Sequence, residues 1–207
     1  METFSVRPAT AAGQTHNRIV VRTYDSAPLS DADRAQTLSV TASILTDAGV
    51  DVRWVACGPL NPANGSDPCR LPLASTDLAV RFIQRPPTSA PRAREVTLGY
   101  SLLDTHAPFA ALATIYVERV EQLVAGCGVP WTKVLGRAVA HEIGHLLLGT
   151  SDHAPTGLMR AVWTRDMIER DRATDFRFTD ADARALLRSL DARSAGVVPA
   201  QIVLATE

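Results

Sequence analysis

Residues 141–153, HEIGHLLLGTSDH, constrain the fold of this chain more than any other segment. His141 and His145 are four residues apart, a spacing that places both side chains on one face of a helix. The preceding residues, WTKVLGRAVA, carry apolar side chains at helical spacing, and Gly149 is suited to end a helix in a left-handed turn. The sequence therefore predicts a largely buried helix that begins just after Pro130 and ends just past the second histidine.

This helix carries the residue types of a catalytic zinc site. Two imidazoles on one helix face can hold a zinc ion, and Glu142 can reach a water on that metal as general base. A catalytic zinc needs a third protein ligand and one open position. We favour His153 over Asp152 as that ligand, because a neutral imidazole suits zinc well, although a carboxylate also binds it. The alternative is that His141 and His145 are core histidines without a metal, and that His153 is a solvated loop residue.

The segment HEIGHLLLGTSDHAPTGLM resembles the metzincin clan of zinc metallopeptidases. That clan has an H-E-x-x-H-x-x-G-x-x-H helix and loop, followed by a tight turn with a methionine under the metal. The resemblance implies roles for six residues: the ligands His141, His145 and His153, the general base Glu142, the turn glycine Gly149 and the methionine Met159. In this chain the glycine follows the second histidine by four residues instead of three, and the last histidine follows it by eight instead of six. Short bacterial proteins with an HExxHxLLGxxxHxxxGxM pattern are similar.

The resemblance implies an α+β fold. Its parts are a twisted mixed sheet of about five strands with a backing helix, a buried zinc-binding helix, a methionine turn and a C-terminal helix. Periodicity and turn residues predict elements in a compatible order. The predicted strands are 18–24, 52–56, 77–83, 95–101 and 113–117, and the further predicted helices are 31–48, 118–125, 164–172 and 180–192. In the clan an edge strand holds the substrate in extended form, and 95–101 (EVTLGYS) or its neighbour would be that strand.

Length and composition fit a single compact enzyme. The chain has 207 residues, of which 46% are hydrophobic, and its net charge is −1. The small charge argues against nucleic acid or an anionic membrane as main partner, and no run of 18 apolar residues could span a membrane. We expect a flexible leader at 1–17, one catalytic domain at 18–193 and a tail at 194–207. The domain would have an upper part, 18–149, and a small lower part, 150–193.

Two cysteines bear on the cellular location. Cys57 and Cys69 bracket a loop rich in Pro, Gly, Asn and Asp, which a disulfide could close. The chain-entropy model values such a bond at about 3 kcal/mol, and two free thiols are the alternative. A disulfide would fit a secreted or periplasmic protein, which is our expectation, although the first residues lack the apolar core of a signal peptide.

Together these features predict a zinc-dependent metalloendopeptidase that cleaves peptide or protein substrates with a zinc-activated water and Glu142 as general base. The sequence leaves the oligomeric state open. Two alternatives remain: a zinc-containing binding or inhibitor-like module without turnover, and a zinc hydrolase that acts on a non-peptide amide. No oxyanion stabiliser is assigned, because Ala161 stands where some clan members carry a tyrosine.

Overall fold

A computed structural model describes residues 17–58, 67–86, 97–103 and 111–196. Within these ranges five strands form one mixed sheet in the order β2-β1-β3-β5-β4, which confirms the predicted α+β fold. Four strands run parallel, and β4 runs antiparallel to β5 at one edge. The strands are β1 (Arg18–Asp25), β2 (Asp51–Cys57), β3 (Asp77–Ile83), β4 (Gly99–Leu102) and β5 (Leu112–Tyr116).

Five α-helices lie in the described ranges, and the polar residues at their ends explain several boundaries. The Ser30 side chain accepts a hydrogen bond from the Asp33 backbone N–H at 3.1 Å and caps the first helix. Thr179 and Asp182 form a capping box at the last helix. The helices are α1 (Asp31–Asp47), α2 (Val117–Val124), α3 (Trp131–Leu148), α4 (Arg165–Arg170) and α5 (Asp180–Ser194), with a 3-10 turn at Ala173–Phe176.

The fourth predicted strand is shorter and lies later than expected. It was predicted over 95–101, whereas β4 is Gly99–Leu102, and residues 95 and 96 lie outside the described part of the chain. Gly99 determines how close this strand lies to its neighbours. A Cβ atom at Gly99 would lie 2.7 Å from the backbone oxygen of Thr114 and 3.1 Å from Cγ of Glu142. Because the position has no Cβ, the edge strand reaches both β5 and α3.

Helix α3 is the central element of the core, and its contact with α1 depends on Gly136. A Cβ atom at Gly136 would lie 2.6 Å from the Thr37 backbone oxygen and 2.7 Å from the Val40 Cβ. The Thr41 hydroxyl oxygen lies 2.9 Å from the Gly136 carbonyl oxygen, so a buried hydrogen bond crosses the contact. The side chains of α3 are buried along almost its whole length, as the sequence predicts.

A disulfide bond and the salt bridges of Asp171 hold irregular segments of the chain in place. Cys57, at the end of β2, forms a disulfide with Cys69, which decides between the two alternatives left by the sequence. After α3, the Asp171 carboxylate pairs with Lys133 and with Arg137 of that helix. The Arg137 guanidinium also stacks 3.7 Å above the ring of Phe176. The segment after α3 is thereby attached to the helix itself.

The predicted leader and tail fall almost entirely outside the described residues, which begin at residue 17 and end at residue 196. Helix α5 continues through Ser194, slightly past the expected end of the domain. Across the described ranges, no helix combines the length and apolar character needed to span a bilayer.

The close contact of α1 with α3 gives a stability prediction. Replacing Gly136 with alanine puts a methyl group against backbone and Cβ atoms that cannot move aside freely. We expect the free energy of unfolding to fall by about 1–3 kcal/mol, as for other overpacked cores, measured by chemical denaturation. Gly58→Ala is the control, because, apart from its chain neighbours, no atom of the described residues lies within 4 Å of a Cβ at that position. Equal stability of the two variants would contradict the predicted steric contact.

Candidate metal centre

The two histidines of α3 are both oriented by backbone carbonyl groups. Nδ1 of His141 lies 2.8 Å from the Leu158 carbonyl oxygen, and Nδ1 of His145 lies 2.7 Å from the Thr150 carbonyl oxygen. A carbonyl oxygen only accepts hydrogen bonds, so each Nδ1 carries a proton and donates it. In a neutral imidazole the other nitrogen, Nε2, is then an unprotonated lone-pair donor.

These two lone pairs face each other. The Nε2 atoms of His141 and His145 are 3.0 Å apart. Two unprotonated nitrogens at this distance repel each other and cannot hydrogen bond. A shared cation removes the repulsion, and two nitrogens bound tetrahedrally to one zinc are about 3.4 Å apart. The donor set therefore fits a zinc ion.

His153 completes the cluster. One ring nitrogen from each of His141, His145 and His153 lies within 4.8 Å of the others. The ring of His153 is exposed, whereas His145 is buried, so the cluster opens toward solvent on the His153 side. Asp152 is also exposed and does not belong to this cluster, the one group of potential metal ligands in the described part of the chain.

The turn after α3 explains how the unusual spacing still brings His153 back. Gly149 has a positive φ of 68°, and its N–H bonds to the carbonyl oxygen of His145. The left-handed residue ends the helix one position later than in the related motif, and one additional residue in the loop brings His153 back beside the other two histidines. The Ala154 N–H then bonds to the Met159 carbonyl oxygen at 2.8 Å, which closes the loop behind His153.

Met159 lies directly under the helix, as the resemblance implies. A Cβ atom at Gly144 would lie 2.6 Å from the Met159 sulfur, so this glycine makes room for the methionine. The residue before the methionine is Leu158, whose carbonyl oxygen receives the His141 hydrogen bond. The methionine turn thus orients His141 through its backbone, and the Met159 side chain packs against α3 at Gly144.

Burial sets the protonation states at the centre. It lowers the pKa of His141 to about 4 and also lowers the pKa of His145, so both imidazoles are neutral at physiological pH. Burial raises the pKa of Glu142 to about 7, against the opposing effect of the Ser101 hydrogen bond. A nearby divalent cation would favour the charged carboxylate and draw this pKa down again.

Glu142 is fixed by the edge strand. The hydroxyl oxygen of Ser101 in β4 lies 2.8 Å from Oε2 and 2.8 Å from the backbone oxygen of Glu142. The carboxylate is therefore held from the strand side, while its own backbone belongs to the helix that carries the histidines. The sequence analysis did not identify Ser101, because residues 101 and 142 are brought together only by the close approach that Gly99 permits.

A cavity of about 650 Å³ adjoins the cluster, within the range typical of ligand sites. Its lining includes residues 97–101 and Leu103 from the edge-strand region, and residues 160–163 after the methionine turn. The three histidines and Glu142 also line it, and Leu123 and Ala138 add apolar surface. Trp163 stands edge-on to His141, with 5.7 Å between ring centroids. Sequence analysis gave no role to Trp163 or to Arg160, since nothing in the local pattern places them beside the histidines.

Comparison with known proteins gives a likeness of fold. No protein-family model and no curated protein matches the chain. Archaemetzincin from Methanopyrus kandleri is similar over 86% of this chain and 98% of its own, with a TM-score of 0.52 and 13% identity. A zinc-dependent peptidase from Methanocorpusculum labreanum is similar over 80% of this chain and 99% of its own, with a TM-score of 0.51 and 13% identity. The chain has a metzincin-like fold. This confirms the architecture predicted from the resemblance.

The geometry of the histidine cluster predicts that His153, after helix α3, supplies the third imidazole of the metal centre. His153→Ala removes one of three imidazoles, and we expect the protein to lose zinc on dialysis against a weak chelator. Asp152→Ala is the matched control and should keep its zinc, since Asp152 stands outside the cluster. Metal content measured by atomic emission checks both variants. Retention by the His153 variant with loss from the Asp152 variant would contradict the ligand set.

Proposed function

We propose that this chain is a zinc-dependent metalloendopeptidase. The observation that carries the proposal is the pair of Nε2 lone pairs 3.0 Å apart, beside His153 and a buried carboxylate, in the lining of a cavity. The likeness of fold to archaemetzincin and to a zinc-dependent peptidase supports it. Peptide or protein chains are the proposed substrates.

In this proposal His141, His145 and His153 hold the zinc ion, with a fourth position open to the cavity. Bound zinc supplies Lewis-acid chemistry, which lowers the pKa of water and polarises a carbonyl group. The hydrogen bonds from the Nδ1 atoms to the Leu158 and Thr150 carbonyl oxygens keep the first two rings in place. They also fix the tautomer that presents Nε2, so the helix is ready to bind the metal without rearrangement.

Glu142 is the proposed general base. Its carboxylate is buried next to the first ligand and borders the cavity. It accepts a proton from the attacking water and later passes that proton to the nitrogen of the leaving amine. Ser101 donates a hydrogen bond toward this carboxylate and limits its rotation, so that the proton acceptor stays aimed at the cavity. Each transfer then needs little rearrangement of the side chain.

The edge strand is the proposed docking element for the substrate backbone. Strand β4 pairs with β5 on one side, and within the described residues no strand pairs with its other side. Backbone groups on a free strand edge can bind an extended peptide by strand addition. Such a peptide would run along the wall that contains Ser101, past the histidine cluster. An open strand edge suits an internal peptide bond, which is why we propose an endopeptidase.

We also propose that the protein acts in a secreted or periplasmic location. The Cys57–Cys69 disulfide supports this proposal, because such bonds persist in oxidising compartments.

The role of Glu142 is tested by Glu142→Gln, which keeps the size of the side chain and removes the proton acceptor. We expect the cleavage rate on a broad peptide pool to fall by roughly a hundredfold to ten-thousandfold, the usual contribution of a general base. Zinc content should remain that of the parent protein. Mass spectrometry of the products, with and without a chelator, measures the rate and its metal dependence.

Glu121→Gln serves as the control for this experiment, since Glu121 lies on the exposed surface of α2. Chelator-sensitive cleavage by Glu142→Gln at the parent rate would contradict the assignment of the base. If zinc-loaded parent protein cleaved no peptide in the pool, the proposal itself would be wrong, and a binding module or a hydrolase of non-peptide amides would replace it.

The hydrogen bond from the edge strand predicts a separate kinetic effect. Ser101→Ala frees the Glu142 carboxylate to rotate, and we expect kcat to fall about tenfold with little change in KM. Ser101→Thr keeps the hydroxyl group and should recover most of the loss. Ser189→Ala is the control, because Ser189 also bonds to a backbone oxygen of α3, that of Leu147, but does not line the cavity. An unchanged kcat in Ser101→Ala would rule out the positioning role.

A further inference from the structure

Arg160 is the one cationic side chain among the described residues that line the cavity. It directly follows the methionine of the turn and lines the same cavity as residues of β4. A bridge between Ala154 and Arg160 ties its backbone to the residue after His153. The guanidinium is therefore carried by the same loop that carries the third proposed ligand, and its distance from the reacting bond is set by a short, hydrogen-bonded segment.

The guanidinium has no anionic partner within the ranges that the structure describes. Its Nη1 atom contacts the Met167 sulfur at 2.9 Å, and a thioether is only a weak acceptor. Its Nε atom is buried and makes no hydrogen bond there. The two arginines of α4 differ, since Arg165 pairs with Glu169 and Arg170 pairs with Asp166.

Burying part of a guanidinium without an anionic partner costs the folded protein free energy. An arginine side chain stays protonated at every physiological pH, so it cannot escape the cost by losing its charge. Arg160 thus brings a positive charge to the cavity lining, and the described residues supply no anion to match it. A carboxylate is the ligand whose charge and paired oxygens fit a guanidinium best.

We propose that Arg160 is a specificity-determining residue that binds a carboxylate of the peptide substrate. The inference rests on the proposed peptidase function and deepens it by naming a substrate class. The carboxylate has two possible sources, an acidic side chain close to the scissile bond or the carboxyl end of the peptide. Both present the same chemistry to the guanidinium, and the apolar surfaces of Trp163 and Leu123 in the same cavity would contact the rest of the bound residue.

The test uses zinc-loaded protein and two pairs of matched peptides built around a bond that the parent cleaves. In the first pair one flanking residue is Glu or Gln, and in the second the peptide ends in a free carboxylate or an amide. For one of the two pairs we expect the parent to prefer the charged member by roughly tenfold or more in kcat/KM, the effect of one charge-assisted hydrogen bond. The pair that shows the preference identifies the source.

Arg160→Gln should abolish this preference by slowing only the charged peptide, and Arg160→Lys should keep part of it. Arg165→Gln is the control, because that arginine is exposed and lies outside the cavity lining. Two outcomes would overturn the inference. In one, Arg160→Gln slows charged and neutral peptides equally, which is the signature of a role in the transition state. In the other, the parent shows no preference in either pair.

A binding measurement separates this inference from the proposed function. Calorimetric titration of the zinc-loaded Glu142→Gln protein with the preferred charged peptide measures affinity without turnover. Adding Arg160→Gln to that protein should raise Kd about tenfold, and an unchanged Kd would count against the carboxylate contact. If the parent cleaved no peptide, the proposed function would fail, whereas titration with any matched pair of Glu and Gln peptides would still decide whether Arg160 binds a carboxylate.

Discussion

The structure depends on two imidazole lone pairs that face each other on one buried helix. His141 and His145 each give their Nδ1 proton to a backbone carbonyl oxygen, and their Nε2 atoms are left 3.0 Å apart. This arrangement is repulsive until a cation occupies the space between them. The carbonyl groups that enforce it come from Leu158 and Thr150, so the turn after the helix and the methionine turn are both parts of the metal centre. Gly144 and Gly99 both lack a side chain. This lets Met159 pack against α3 at Gly144 and lets strand β4 approach α3 at Gly99.

Most of the fold was predictable because its signals are local. Short apolar stretches bounded by turn residues gave four of the five strands nearly to their ends, and Ser30, Thr179 and Gly149 set helix boundaries through their own side chains or backbone conformation. The strand around Gly99 was misplaced because its limits depend on contacts with Thr114 and Glu142, which are distant in sequence. The pairing of Cys57 with Cys69 was likewise undecided in the sequence, since a short loop allows a disulfide without requiring it.

In the candidate site, too, some residues could be predicted from local sequence and others could not. His141, Glu142 and His145 follow from a four-residue motif, and the structure places His153 beside them despite a spacing two residues longer than in the related motif. Ser101 and Arg160 could not be found in this way, because a serine in a strand and an arginine after a methionine are common and carry no signal by themselves. Their importance comes from tertiary position: one contacts the proposed base, and the other faces a cavity with no partner for its charge in the described part of the chain. Both residues line that cavity.

The central claim is that three imidazoles share one divalent ion and leave one coordination position to solvent. X-ray absorption spectroscopy at the zinc edge, on protein loaded with a single equivalent of zinc, tests this claim most directly. The account predicts three imidazole nitrogens and one water oxygen, all at about 2.0–2.1 Å. A shell with sulfur ligands, with only two imidazoles, or with four protein ligands and no water would contradict it.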